Sequence, residues 1–167
     1  MIKGISHIGF DVKNMESMLD FYCNALGMKK KFSMTFSQAL RKMQSEPQAE
    51  MNEELTGFMQ YLGQMGDKEW FVYLEMAPNQ LIELFYQYGE KKELPDIKQY
   101  YGYQHFSLEV DNIHELWDRV CQYGIKPDSP IRKGVDGTYQ FWLTDPDGNH
   151  FEVMEYTKES LQITGDE

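Results

Sequence analysis

Residues 104–128, QHFSLEVDNIHELWDRVCQYGIKPD, and 140–156, QFWLTDPDGNHFEVMEY, decide how this chain folds. The first stretch opens on an alternating strand over 104–110 with His105 near its head. A helix follows, with Asn112 as N-cap and Glu115 three residues on, the spacing of a capping box. Ile113, Leu116, Trp117, Val120 and Cys121 form its apolar stripe, and Gly124 closes it. A further strand is expected near 126–131. In the second stretch, strands over 138–143 and 150–156 flank Asp145-Pro146-Asp147-Gly148, a strong turn signal, and Glu152 lies on the second arm.

Working outward, residues 6–32, SHIGFDVKNMESMLDFYCNALGMKKKF, repeat that order. Residues 5–12 alternate as a strand carrying His7. Asn14 is placed to cap a helix whose stripe is Met15, Met18, Leu19, Tyr22 and Leu26, and Gly27 ends it. Strands are expected over 29–36, 70–76 and 80–86, the last two joined by Ala77-Pro78-Asn79. His7 and His105 stand 98 residues apart but Glu83 and Glu152 only 69, so the first copy carries 29 more (98 − 69) between its histidine and its glutamate. The polar, Met- and Gln-rich segment 37–66, read as one or two short helices, has the right length to be that insertion. The expected organisation is α+β: two βαβββ modules forming curved mixed sheets around a metal site. Module one is 1–89, a charged linker EKKELPDIKQ covers 90–99, module two is 100–157, and a tail follows over 158–167.

The net charge of −11 opposes binding to nucleic-acid phosphates or anionic membranes. The basic run Lys29-Lys30-Lys31 reads as solvated surface. No apolar run is long enough to span a bilayer, and MIKGISHIGF enters a strand without a signal-peptide layout. Cys23 and Cys121 fall on or beside apolar stripes, so a reduced, buried pair and a cytoplasmic location are expected.

Alone, a histidine or glutamate on a strand is more often structural than a ligand. Together the four form a constellation. Parity sets His105 and Glu152 apart from Phe106, Phe151 and Val153, and Glu83 apart from Ile82 and Leu84. His7, Glu83, His105 and Glu152 are therefore expected on one concave sheet surface. Burying such groups unpaired would cost several kcal/mol each. One divalent cation removes that cost, and two imidazoles with two carboxylates suit zinc, nickel, cobalt, manganese or iron. His150 shares the face of Glu152, His114 is expected to be exposed, and Phe85, Tyr139 and Trp142 are candidate pocket walls.

The stretches SHIGFDVKNMESMLDFYCNALGMK, QLIELFY, YQHFSLEVDN and LTDPDGNHFEVME resemble the vicinal oxygen chelate superfamily, the group of glyoxalases, bleomycin-resistance proteins and extradiol dioxygenases. The resemblance covers nearly the whole chain outside 37–66. It implies metal ligation by His7, Glu83, His105 and Glu152, a set most similar to that of glyoxalase I, the lactoylglutathione lyases. It also implies a lyase or isomerase that moves a proton beside a carbonyl through a metal-bound enediolate. Glu152 would be the first candidate base, doubling as a displaceable ligand, and Glu83 the second. Acyl-CoA epimerases of the superfamily use a closely similar ligand set, which makes an epimerase acting on a small acyl-CoA-like substrate the alternative. The superfamily's drug-sequestering members add a third, a non-catalytic protein that binds a small molecule or drug. Asp11 and Gln87 stand where glutathione-using members commonly carry Arg and Asn. Arg132 and Lys133, before the last hairpin, match a loop that grips an anionic substrate, with Trp142 nearby. Members of this size usually pair, so a homodimer acting on a small molecule is expected.

Overall fold

Alternation and helical periodicity resolve into eight strands and five helices among the residues described, 1, 4–45, 52–86 and 101–165 of a computed structural model. The elements fall into two four-stranded mixed sheets, so the α+β class holds. The expected linker 90–99 and Gln87 lie outside the described residues.

One unit comprises Met1–Met15 with Met28–Tyr88. Its sheet has the order β1-β4-β3-β2, with β1 His7–Val12, β2 Lys29–Thr35, β3 Glu69–Ala77 and β4 Gln80–Tyr86. β1 and β4 run parallel, and the other neighbours are antiparallel. The β3–β4 turn places Asn79 at φ 61°, a left-handed conformation that Asn tolerates better than most residues. The basic run is tied across the sheet, Lys30 to Glu69 at 2.9 Å and Lys31 to Glu75 at 2.8 Å. The segment 37–66 does hold two helices, α2 Phe36–Ser45 and α3 Glu53–Met65. Phe36, Ala39 and Leu62 form a small core there, joined by Met34, Leu40, Met43, Met65 and Trp70.

The second unit comprises Glu16–Gly27 with Gly89–Glu167. Its sheet has the order β5-β8-β7-β6, with β5 Phe106–Glu109, β6 Arg132–Lys133, β7 Tyr139–Thr144 and β8 His150–Glu155. Phe141, Leu143, Phe151 and Val153 are fully buried on one face. Each such side chain contributes about 1.5–3 kcal/mol when removed from water. α4, Ile113–Gln122, is capped as expected by the Asn112 side chain, which accepts from the Glu115 N–H.

The helix written in the first copy thus belongs mostly to the second unit. α1, Met15–Leu19, runs into a π-helical turn over Asp20–Ala25, where the Leu26 N–H donates to the Phe21 carbonyl at 3.0 Å. That wider turn brings Phe21 and Ala25 into the buried set beside Met18 and Tyr22. Phe21 packs edge-on against Phe151, and Tyr22 stacks on the same ring. Arg119 donates to the carbonyls of Ala25 (2.7 Å) and Asn24 (3.0 Å), closing the helix end with a cation.

Two expectations fail locally. Residues 126–131 form no strand, because Pro127 and Pro130 cannot donate to a ladder. The segment is held instead by the Asp128 N–H on the Trp142 carbonyl and by the Ser129 hydroxyl, which accepts from the Trp142 N–H. Nor are the cysteines a buried pair. Neither forms a disulfide among the described residues; Cys23 is half-buried and Cys121 exposed, since one step past buried Val120 turns the side chain off the stripe. Among the described residues no helix is long and apolar enough to cross a membrane.

Candidate metal and proton-transfer site

In the first unit, the parallel register sets His7 opposite Leu81 and Gly9 opposite Glu83. His7 and Glu83 are therefore diagonal neighbours on one face, with Nε2 and Oε2 3.4 Å apart. Ile82 and Leu84, fully buried, point the other way, while Glu83 itself is 8% exposed. Gly9 leaves the space before that carboxylate open, since even an added Cβ would stand 3.7 Å from Oε2.

Tyr73 lies directly across from Glu83 on β3 and donates its hydroxyl to that carboxylate. Burial, this hydrogen bond and the Glu83 charge push the Tyr73 phenol up to about 12, so it remains a donor at neutral pH. Its ring meets the His7 imidazole edge-on at 5.7 Å. The Ser6 hydroxyl, 3.1 Å from His7 Nδ1, orients the imidazole so that Nε2 faces Glu83.

In the second unit, His105 sits one residue before β5, and Ser107 and Trp142 both stand opposite Glu152. Glu152 is 6% exposed and its Oε2 accepts from the Ser107 hydroxyl at 3.0 Å. His105 Nε2 is 3.9 Å from the same oxygen. The His105 ring meets Trp142 edge-on at 4.8 Å. Its Nδ1 is buried with no hydrogen-bond partner among the described residues. His150 stacks on Trp142 at 4.5 Å and 9° and points Nδ1 at Asp128, 3.3 Å away.

The four expected donors are thus found as two pairs, one on each of two separate sheets. Among the described residues no group of three or more His, Cys, Asp and Glu side chains forms a metal-holding cluster. Each pair, taken by itself, has the spacing of two donors on one ion. Two donors about 2.0–2.2 Å from one ion stand roughly 3–3.5 Å apart at octahedral to tetrahedral angles. The separation of 3.4 Å meets that geometry, and 3.9 Å asks only a small side-chain rotation. Among the described residues both carboxylates are nearly buried and lack a Lys or Arg partner. The donor chemistry suits a borderline divalent ion.

The remaining candidates separate by strand parity. Arg132 pairs with Gln140 and so shares the face of Trp142 and Glu152. Lys133 pairs with Tyr139 on the other face, where its ammonium meets Glu159 at 2.5 Å. Phe85 lies on the Glu83 face against Phe71, and Asp11 opposite Phe85 shares that face. Tyr139 is exposed at the start of β7, between Lys133 and Glu155 of its neighbouring strands, and His114 is exposed on α4. Sequence reasoning missed Tyr73 and Ser107, the two hydroxyls that grip the glutamates. Ser107 had a signal, two residues from His105 on the same parity. Tyr73 had none, because its position depends on the β3–β4 register.

The family model for the glyoxalase/bleomycin resistance protein/dioxygenase superfamily matches residues 4–153. Among solved structures, a superfamily member from Sphaerobacter thermophilus superposes with a TM-score of 0.56 at 22% identity, over 93% of this chain and 98% of that one. A lactoylglutathione lyase from Agrobacterium tumefaciens gives 0.56 at 15% identity, over 92% and 94%. A glyoxalase/dioxygenase from Nostoc punctiforme gives 0.60 at 13%, over 93% and 92%. At such identities the likeness to these structures is one of fold. No curated protein matches the chain. With the family model spanning most of its length, the chain belongs to the glyoxalase/bleomycin resistance protein/dioxygenase superfamily.

Proposed function

We propose that this protein is a metal-dependent lyase or isomerase of the glyoxalase I type, moving a proton on a carbon beside a carbonyl. The observation that supports it is the doubled motif of a nearly buried glutamate, gripped by one hydroxyl and facing one imidazole nitrogen. His7, Glu83, His105 and Glu152 together would hold one divalent ion, as superfamily members often do. Bound there, the ion would supply Lewis-acid polarisation of a substrate carbonyl.

The chain's own residues do the rest. Glu152 takes the proton from the substrate carbon and returns it to the neighbouring position, with Ser107 holding one carboxylate oxygen so that the other stays free. Glu83, held by Tyr73, is the second candidate base for the same proton. Trp142 and Phe85 offer apolar surface beside the two glutamates. Arg132 can meet an anionic substrate arm on the Glu152 face, whereas the Lys133 charge is taken by Glu159.

Asp11 on the His7 face favours a second reading within the same chemistry. A carboxylate there repels those of glutathione, which suits another thiol or an acyl thioester undergoing epimerisation. The protein is taken to act as a homodimer on small molecules, the common habit of the superfamily.

The test begins with metal content after purification without added metal, expected at about one ion per chain. Turnover is then followed on methylglyoxal–thiol adducts and by deuterium exchange into 2-branched acyl thioesters. Glu152→Gln keeps a ligand oxygen but removes the base, so it is expected to retain metal and lose at least ~10²-fold in rate. Wild-type protein that binds no metal at micromolar supply, or full turnover by Glu152→Gln, refutes the reading.

A further inference from the structure

The inserted helix α2 builds a pocket that the proton-transfer chemistry does not use. Its volume is about 400 Å³, and its walls are Phe32, Ser33 and Met34 of the edge strand β2 and Gln38, Arg41 and Lys42 of α2. That size lies within the range of small-molecule sites.

Helical spacing makes this wall one-sided. Phe36, Ala39, Leu40 and Met43 follow the i, i+3, i+4, i+7 pattern and pack into the small core with α3. Gln38, Arg41 and Lys42 sit at i, i+3 and i+4 on another face, stacked along the pocket. The start of the helix is a capping box. The Gln38 N–H donates to the Thr35 hydroxyl at 3.2 Å, and the Thr35 N–H donates to Gln38 Oε1 at 2.9 Å. With its oxygen committed, the Gln38 amide has only its NH₂ left to offer.

The pocket's polar groups are therefore hydrogen-bond donors and cations, with the Ser33 hydroxyl beside them. Among the described residues no acidic side chain lines it, although the whole chain carries a net charge of −11. The nearby Lys30 and Lys31 are neutralised by Glu69 and Glu75, but among the described residues Arg41 and Lys42 have no ion-pair partner. On the apolar side, Phe32 is 44% exposed while stacked on Tyr73 at 4.6 Å and 11°. Tyr73 in turn donates to Glu83. An aromatic ridge thus runs from the pocket to one of the proposed proton-transfer carboxylates.

We propose that this pocket binds an anion carrying a planar apolar group, its carboxylate held by Arg41 and Lys42 and its body lying on Phe32 and Met34. Two cations with an oriented amide supply charge-assisted hydrogen bonds. The ring offers stacking area that water covers poorly. Binding needs no metal, so its failure and failure of the proton-transfer reading are separate results.

The experiment titrates the full chain, with chelator present, using 2-naphthoate, 2-naphthyl phosphate and neutral 2-naphthamide. Calorimetry gives affinity, and the methyl resonance of Met34, identified with Met34→Leu, reports location. Saturable naphthoate binding that shifts Met34 is expected, with naphthamide and the Arg41→Ala/Lys42→Ala variant each at least ~10-fold weaker. The variant changes exposed positions, and circular dichroism with an unchanged melting temperature verifies its fold. Arg41→Lys, which keeps the charge, should recover part of the loss. Naphthyl phosphate binding more tightly than naphthoate would make the ligand a phosphate ester rather than a carboxylate, with the same site. The proposal is overturned if wild type shows no saturable naphthoate binding at millimolar ligand or Met34 does not respond. It is equally overturned if naphthamide or the double variant binds as tightly as the reference pair.

Discussion

Tyr22→Phe isolates one hydrogen bond that joins the first copy's helix to the second copy's hairpin. Tyr22 is fully buried, and its hydroxyl donates to Asp145 Oδ2 at 2.9 Å across 123 residues of sequence. Asp145 is 4% exposed and also accepts from the Asp147 N–H (3.0 Å), the Asn149 N–H (2.9 Å) and the Asn149 amide (2.8 Å). Phenylalanine keeps the ring contacts with Phe21 and Phe151, so the change removes one donor of four and little packing. A hydrogen bond to a charged group contributes about 1.5–3 kcal/mol. With three donors left, the cost at neutral pH is expected near the lower end, about 1.5–2 kcal/mol.

The pH dependence carries a sign. Burial raises the Asp145 carboxyl above its ordinary value against the pull of its donors, Tyr22 among them. A group raised on folding contributes stability that is present below its unfolded value and lost as pH rises through its folded one. Losing Tyr22 raises Asp145 further, so the variant loses more at neutral pH than in acid. Urea unfolding at pH 7 and at progressively lower pH should show the deficit shrink toward about 1 kcal/mol, the size of a neutral hydrogen bond. A deficit below about 0.5 kcal/mol, or one independent of pH, refutes the account. Loss of all structure would also refute it, since the ring contacts are retained.

Tyr73→Phe removes the donor that orients Glu83 and should weaken metal binding about 10–100-fold with little change in melting temperature, read by competition with a chromophoric chelator. Unchanged affinity would mean that Tyr73 only packs. Gly137→Ala is expected to cost well over 1–2 kcal/mol, because the residue sits at φ +80° and its Cβ would meet the Glu159 carbonyl oxygen at 2.6 Å. Gly148→Ala, at φ +91° with nothing within 4 Å, should cost only the conformational share, about 1–2 kcal/mol, by the same unfolding assay. Equal costs would show that the close approach at Gly137 relaxes freely.

Periodicity is a local property, and what depends on it was legible. The alternation around Glu83 and Glu152, the Asn112 cap and the Asp145–Gly148 turn all follow from side-chain spacing within one element. So does the α+β class, because the pattern of strand, helix and strands is written twice. Placement of the helix over 16–27 was not legible. It depends on Tyr22 meeting Asp145 and on Arg119 meeting the carbonyls of Asn24 and Ala25, contacts 94 to 123 residues apart. Two prolines removed the strand expected at 126–131, a local signal already present in the sequence at Pro127 and Pro130. Within the candidate site, composition pointed to the histidines and glutamates, while strand register chose their partners. Tyr73 faces Glu83 and Ser107 faces Glu152 because hydrogen-bonded pairing between distant segments set them there. Register also divided Arg132 from Lys133, since adjacent residues on a strand point to opposite faces and only one can share the face of Glu152.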